Sequence, residues 1–100
     1  MNNGVNLELR SMEGRTFILG REGHIYIGDA SVSKQHAEIK FIDGRIHIRD
    51  LDSTNGIYLI KDNQPVRFQQ GFVEPDQTIA IGYQRETVQR LLAIIGVFAE

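Results

Sequence analysis

The stretch His36-Ala37-Glu38-Ile39-Lys40-Phe41-Ile42-Asp43-Gly44-Arg45-Ile46-His47-Ile48-Arg49 decides the fold. Ala37, Ile39 and Phe41 recur with period 2, which puts them on one face of a strand. Asp43-Gly44 is a hairpin signal, because both residue types tolerate positive φ. Ile46 and Ile48 then return on the same inward face. The stretch reads as an antiparallel hairpin with one buried side.

Outward from this hairpin, short apolar runs separated by turn residues fill the chain, the pattern of an all-β sandwich. Upstream, Val5-Asn6-Leu7-Glu8-Leu9-Arg10 alternates and predicts a half-buried strand, followed by a turn at Glu13-Gly14. Thr16 to Leu19 and His24 to Ile27 are β-rich. Downstream, Gly56 opens a strand over Ile57 to Ile60, and Lys61-Asp62-Asn63-Gln64-Pro65 reads as a surface loop. Val66 and Phe68 begin an edge strand, where the adjacent Pro65 is tolerated. Pro75-Asp76 predicts a turn, and Thr78-Ile79-Ala80-Ile81 a strand that Gly82 ends. In the tail, Val88, Leu91, Leu92 and Ile95 fit one helical face, and the same residues fit a long closing strand. The favoured reading is a strand followed by a short helical end. The apolar run Leu91 to Ala99 is too short to span a bilayer. It reads as the last core element, with the stub of a membrane span in a longer chain as the alternative.

Bulk properties narrow the function classes. One hundred residues make a single domain, taken as 1–100, and 41% apolar residues suffice for one core. The absence of cysteine excludes disulfides and thiolate metal sites and suits a reducing, cytoplasmic setting. A net charge of −2 argues against nucleic acid as the partner. Met1-Asn2-Asn3-Gly4 lacks the basic and apolar segments of a secretory signal.

Two loops hold the residues with chemistry. One is Ser31-Val32-Ser33-Lys34-Gln35-His36, the other Asp50-Leu51-Asp52-Ser53-Thr54-Asn55-Gly56. Loops of a sandwich cluster at its ends, so the two can form one surface. That surface would carry hydroxyls, an amide, the Lys34 ammonium and exposed backbone N–H groups. These are donors for an anion, and phosphate oxygens accept from all of them. Gly20-Arg21 adds a guanidinium fork.

Taken singly, each residue has a plainer reading. Ser33 and Thr54 suit turns, and Asn55-Gly56 is a common hairpin pair. Asp50 and Asp52 sit beside a turn rather than forming a catalytic carboxylate pair. His24 and His47 lie on different strands and give no metal-ligand spacing. No nucleophile–base pair is present, so no enzyme, cofactor or metal is expected.

In combination, Gly20-Arg21, Ser33 with His36 three residues on, and Ser53-Thr54-Asn55-Gly56 about twenty residues later resemble the forkhead-associated (FHA) domain family. Asp76-Gln77-Thr78-Ile79-Ala80-Ile81-Gly82 looks like that family's closing strand, so the resemblance runs from about Leu7 to Gly82. It implies an eleven-strand β-sandwich whose loop tips bind a phosphothreonine peptide. It implies that Arg21 contacts the peptide backbone, that Ser33, Lys34 and Thr54 bind phosphate, and that Asn55 holds an extended ligand main chain. It gives Gly20, His36 and Gly56 a supporting role. The stretch before Ser33 is shorter than is usual in the family, which leaves two registers. In the favoured one Arg21 occupies the binding corner; in the other Ile27-Gly28-Asp29 fills it and Asp replaces Arg. Ile57 and Ile60 stand where the family often has Thr and Asn. The expected function is phosphothreonine-peptide recognition downstream of a Ser/Thr kinase, without direct membrane contact. The alternative is a scaffold of the same fold that binds a partner without phosphate, as in a secretion assembly.

Overall fold

The computed structural model describes residues 7–97. The elements run α1 (Leu7–Ser11), β1 (Thr16–Gly20), β2 (Ile25–Tyr26), β3 (Ala37–Ile42), β4 (Arg45–Asp50), β5 (Ile57–Lys61), β6 (Gln64–Phe68), β7 (Gln70–Val73), β8 (Thr78–Ile81), β9 (Gln84–Thr87) and α2 (Val88–Ile94). Two sheets form a sandwich. One has the strand order β2-β1-β3-β4-β7 and the other β6-β5-β8-β9.

The β3–β4 hairpin closes as its sequence requires. Asp43 and Gly44 take φ of 53° and 71°, and Ile39 faces Ile48 across the ladder. The Glu13 carboxylate accepts from the backbone N–H groups of Asp43 (2.8 Å) and Gly44 (3.1 Å), which pins the hairpin tip. Ala37, Ile39, Phe41, Ile46 and Ile48 are all buried, and they meet Leu19, Ile57, Ile79 and Ile81 between the sheets. Full burial of an Ile or Leu side chain contributes roughly 1.5–3 kcal/mol, so this layer dominates stability.

Nine strands are present among the described residues, against the eleven expected. The eleven are what the family resemblance implies, and one strand read from the sequence is not a strand. Leu7–Ser11 is helical rather than extended, with Leu9 and Met12, three apart, both buried. Val5 and Asn6 of that predicted strand lie outside the described residues. The chain between Ile27 and Gln35 spends its hydrogen bonds on side chains and turns instead of a ladder, with Ser31 N–H donating to Asp29 and Ser33 N–H to His36.

A second correction falls at Lys61–Pro65. The segment is exposed, as a surface loop would be, but it is a tight hairpin: Asp62 and Asn63 take φ of 51° and 65°, and Pro65 on the edge strand β6 pairs with Ile60. The tail forms β9 and then α2, with Val88, Leu91 and Leu92 buried and Thr87 capping the helix by accepting from Arg90 N–H. Val97 is buried as well, while Phe98 and Ala99 of the apolar run lie outside the described residues. Among the described residues no helix is long and apolar enough to cross a membrane.

Candidate functional site

The end of β1 brings Arg21 against the first loop. Arg21 N–H donates to Ser33 O (3.1 Å) and Glu22 N–H to Lys34 O (2.9 Å). This approach requires glycine at position 20, where a Cβ would lie 2.3 Å from Lys34 O and 2.7 Å from Ser33 O. The Arg21 Nε–H donates to Val32 O at 2.6 Å. That bond aims the guanidinium and leaves its terminal N–H groups free of any partner among the described residues.

The two loops are tied through His36, which is completely buried. Its Nδ1 accepts from Ser33 N–H at 3.0 Å, so the ring proton resides on Nε2, which donates to Gly56 O at 2.8 Å. One imidazole thus spans the first loop and the second. Thr54 N–H donates to Ser33 Oγ at 3.1 Å, a second tie between them. Within the second loop, buried Asp50 accepts from Ser53 N–H and Oγ–H, and Ser53 Oγ accepts from Gly56 N–H. Asp50 and Ser53 are therefore loop braces.

Arg21, Ser33, Lys34, Thr54 and Asn55 line one open cavity of about 330 Å³. Gly20, His36 and Gly56 lie in its support rather than in its wall. Asp29, the residue of the rival register, does not line it. Its carboxylate accepts from Ser31 N–H (2.9 Å), from the Ser31 hydroxyl and from the Gln84 side-chain amide (3.1 Å). Ile57 is fully buried and pairs with Ile81, so it serves the core.

Two residues matter here that the sequence did not single out. Ser31 is a hub: its carbonyl accepts from Asn55 Nδ2 (2.8 Å) and its hydroxyl from Tyr83 N–H (3.0 Å), joining three loops. The Asp29-x-Ser31 spacing, which suits a side chain capping backbone two residues on, was the available signal. Glu22 sits 3.8 Å from the Lys34 ammonium, both well exposed, and competes with any anion for that charge.

Hydrogen bonds from the Ser31 hydroxyl and N–H hold the Asp29 carboxyl below its ordinary range. The contribution is therefore complete above the unfolded value, about pH 4, and is lost as the pH falls through the lower folded value. Thermal melts at pH 6 and pH 3 should show a smaller acid-induced drop for Asp29→Asn than for the native chain. An equal drop would mean that Asp29 is not held ionised by the fold.

The family model for the FHA domain matches residues 14–82. The chain belongs to the FHA domain family. The match begins at the turn before β1 and ends at Gly82, so it contains both loops and leaves β9 and α2 outside. The FHA domain of FhaA, solved in complex with the intracellular domain of Rv3910, is 31% identical, covering 73% of this chain and 77% of its own, with a TM-score of 0.60. An FHA domain from a structural and functional analysis of phosphothreonine-dependent interactions is 27% identical over 73% of each chain, with a TM-score of 0.63. The FHA domain of the CT664 protein from Chlamydia trachomatis is 30% identical over 73% of each chain, with a TM-score of 0.60. No curated protein matches the chain. FHA domains are binding modules, and the cavity at the loop tips is where this one gathers a guanidinium, an ammonium, hydroxyls and an amide.

Proposed function

We propose that this FHA domain binds phosphothreonine in an extended peptide and acts as a cytoplasmic, non-catalytic adaptor for the product of a Ser/Thr kinase. One observation carries the reading: Arg21, Ser33, Lys34, Thr54 and Asn55, contributed by three separate segments, converge on one cavity held from below by His36. Lys34 and the Arg21 guanidinium supply positive charge, and the Ser33 and Thr54 hydroxyls supply directional donors. Asn55 Nδ2 is held by Ser31 O, which leaves its carbonyl oxygen to accept from a ligand main chain. The apolar tail that motivates a phosphate-independent scaffold is consumed in the core through Leu91, Leu92 and Val97.

The test is a phosphothreonine peptide array against its unphosphorylated twin, with the best pair taken to calorimetry. Binding should require the phosphate. It should also weaken as the pH drops through the phosphate's second pKa of about 6, because the dianion is lost there. Equal affinity for both members of the pair overturns the reading in favour of the scaffold.

A further inference from the structure

The outer face of the β6-β5-β8-β9 sheet carries a cross-strand row that the phosphate cavity does not use. Arg67 on β6 faces Tyr58 on β5, Tyr58 faces Ala80 on β8, and Ala80 faces Arg85 on β9. Two apolar residues thus lie between two arginines. Side chains directly opposite one another across a ladder share one face, so all four lie on it; Tyr58, Ala80 and Arg85 line a groove there, and Arg67 flanks it over the Tyr58 ring. Its concavity is about 480 Å³ and includes Ile60, Pro65 and Tyr83 beside Tyr58, Ala80 and Arg85. Tyr83 is 78% exposed. No acidic side chain lines the groove. Neither arginine has an ion pair among the described residues, and Arg67 instead lies over the Tyr58 ring at 5.6 Å.

This groove adjoins the candidate site. Tyr83, in its wall, donates its N–H to Ser31 Oγ, and Ser31 lines the phosphate cavity. Gly82 N–H donates to Gly56 O at 3.1 Å. The Arg67 guanidinium packs on Gly56, where a Cβ would lie 2.9 Å from its Cζ, one residue from Asn55. A chain leaving Asn55 therefore meets Arg67 first.

Resting on the phosphothreonine reading above, we infer that this face docks a flanking segment of the same phosphopeptide, in which an aromatic or aliphatic side chain stands beside carboxylates. The apolar side chain fills the space over Tyr58, Ile60 and Ala80, and the carboxylates meet Arg67 and Arg85, whose planar forks bind them bidentately. Pairing with a second copy of this face is disfavoured, since a two-fold axis would bring arginine-flanked rows together with no carboxylate between them. Three steps between strands of about 4.8 Å make the row roughly 14 Å wide, the span of about four to five extended residues. The docked segment is therefore about four to five residues long and lies to one side of the phosphothreonine.

A phosphothreonine-oriented peptide library with randomised flanks tests this on the native domain and on an Arg67→Gln/Arg85→Gln variant, both positions being exposed. The native domain should enrich Asp or Glu together with Phe, Tyr, Leu or Ile within one flanking window of about four to five residues. The variant should lose that enrichment and bind such a peptide about tenfold more weakly, while a peptide truncated near the phosphothreonine binds both proteins within about twofold. Phosphate-dependent binding with no such enrichment, or with enrichment that survives the double substitution, overturns the docking face alone. A library with no preference for phosphorylated members overturns the phosphothreonine reading, and the docking face falls with it.

Discussion

Replacing His36 with alanine is expected to destabilise the domain by about 3 kcal/mol or more. The ring is completely buried and makes two hydrogen bonds, to Ser33 N–H and Gly56 O. Its loss strands the Ser33 N–H, at about 1–3 kcal/mol, removes one of the two donors to Gly56 O, which keeps Gly82 N–H, and leaves a cavity besides. For a domain of this size each kcal/mol lowers the melting temperature by roughly 4–8 °C, so the shift should exceed about 10 °C. Ser33→Ala separates binding from bracing. Ser33 is only part-buried, and the Thr54 N–H that its hydroxyl accepts from is exposed, so water can replace the bond. That variant should melt close to the native chain, as surface changes within about 0.5 kcal/mol do, while losing phosphopeptide affinity. His36→Phe distinguishes volume from hydrogen bonding: it refills the space but restores neither of the imidazole's hydrogen bonds, so it should recover only part of the loss. A His36→Ala melt within about 2 °C of native, or an unstable Ser33→Ala, would reverse the two roles.

The same imidazole shows how much of the site was legible in the sequence. The resemblance gives His36 a supporting role, and its ring reaches back three residues to the Ser33 N–H. Its second bond, to Gly56 twenty residues on, is a tertiary fact that only the resemblance anticipated. The β3–β4 hairpin was readable because period-2 alternation and an Asp-Gly turn agree with each other. The Lys61–Pro65 hairpin was not, because Asp62-Asn63 lacks the glycine that usually marks such a turn, although both residues take the same positive φ. β7 has no alternating signature, because Gln70-Gly71-Phe72-Val73 buries only Val73. The Leu7–Ser11 segment misled because Leu7 and Leu9 fit alternation as well as helix. The residue that decides for helix, Met12, lies beyond the alternating run. Lys34 was legible as a charge, but its Glu22 counterion arises from the approach of two loop ends and has no sequence signature.

Arg21→Ala should weaken phosphopeptide binding about tenfold or more. The guanidinium is aimed by Val32 O and stands in the cavity wall with Ser33 and Asn55. A hydrogen bond with an ionised partner contributes about 1.5–3 kcal/mol, and about 1.4 kcal/mol is one decade of affinity. Arg21→Lys should recover only part, since an ammonium keeps the charge but cannot donate to Val32 O and to a ligand in one plane. Asp29→Arg gives the opposite test. Under the register with Asp29 in the binding corner, this change would create or strengthen binding and Arg21→Ala would be nearly silent. The geometry leads to a different expectation. Asp29 is the acceptor for Ser31, and Ser31 carries the bonds to Asn55 and Tyr83, so an arginine there removes the brace of three loops at once. Asp29→Arg should therefore lower the melting temperature and weaken binding through misplacement of Asn55. Measured by calorimetry and thermal melts on the same preparations, a loss in Arg21→Ala with an unchanged melt marks a contact to the ligand, while a joint loss of stability and affinity in Asp29→Arg marks a support. A gain of affinity in Asp29→Arg beside a silent Arg21→Ala would move the binding corner to Asp29, and an acidic residue in that corner suits a domain that binds its partner without phosphate.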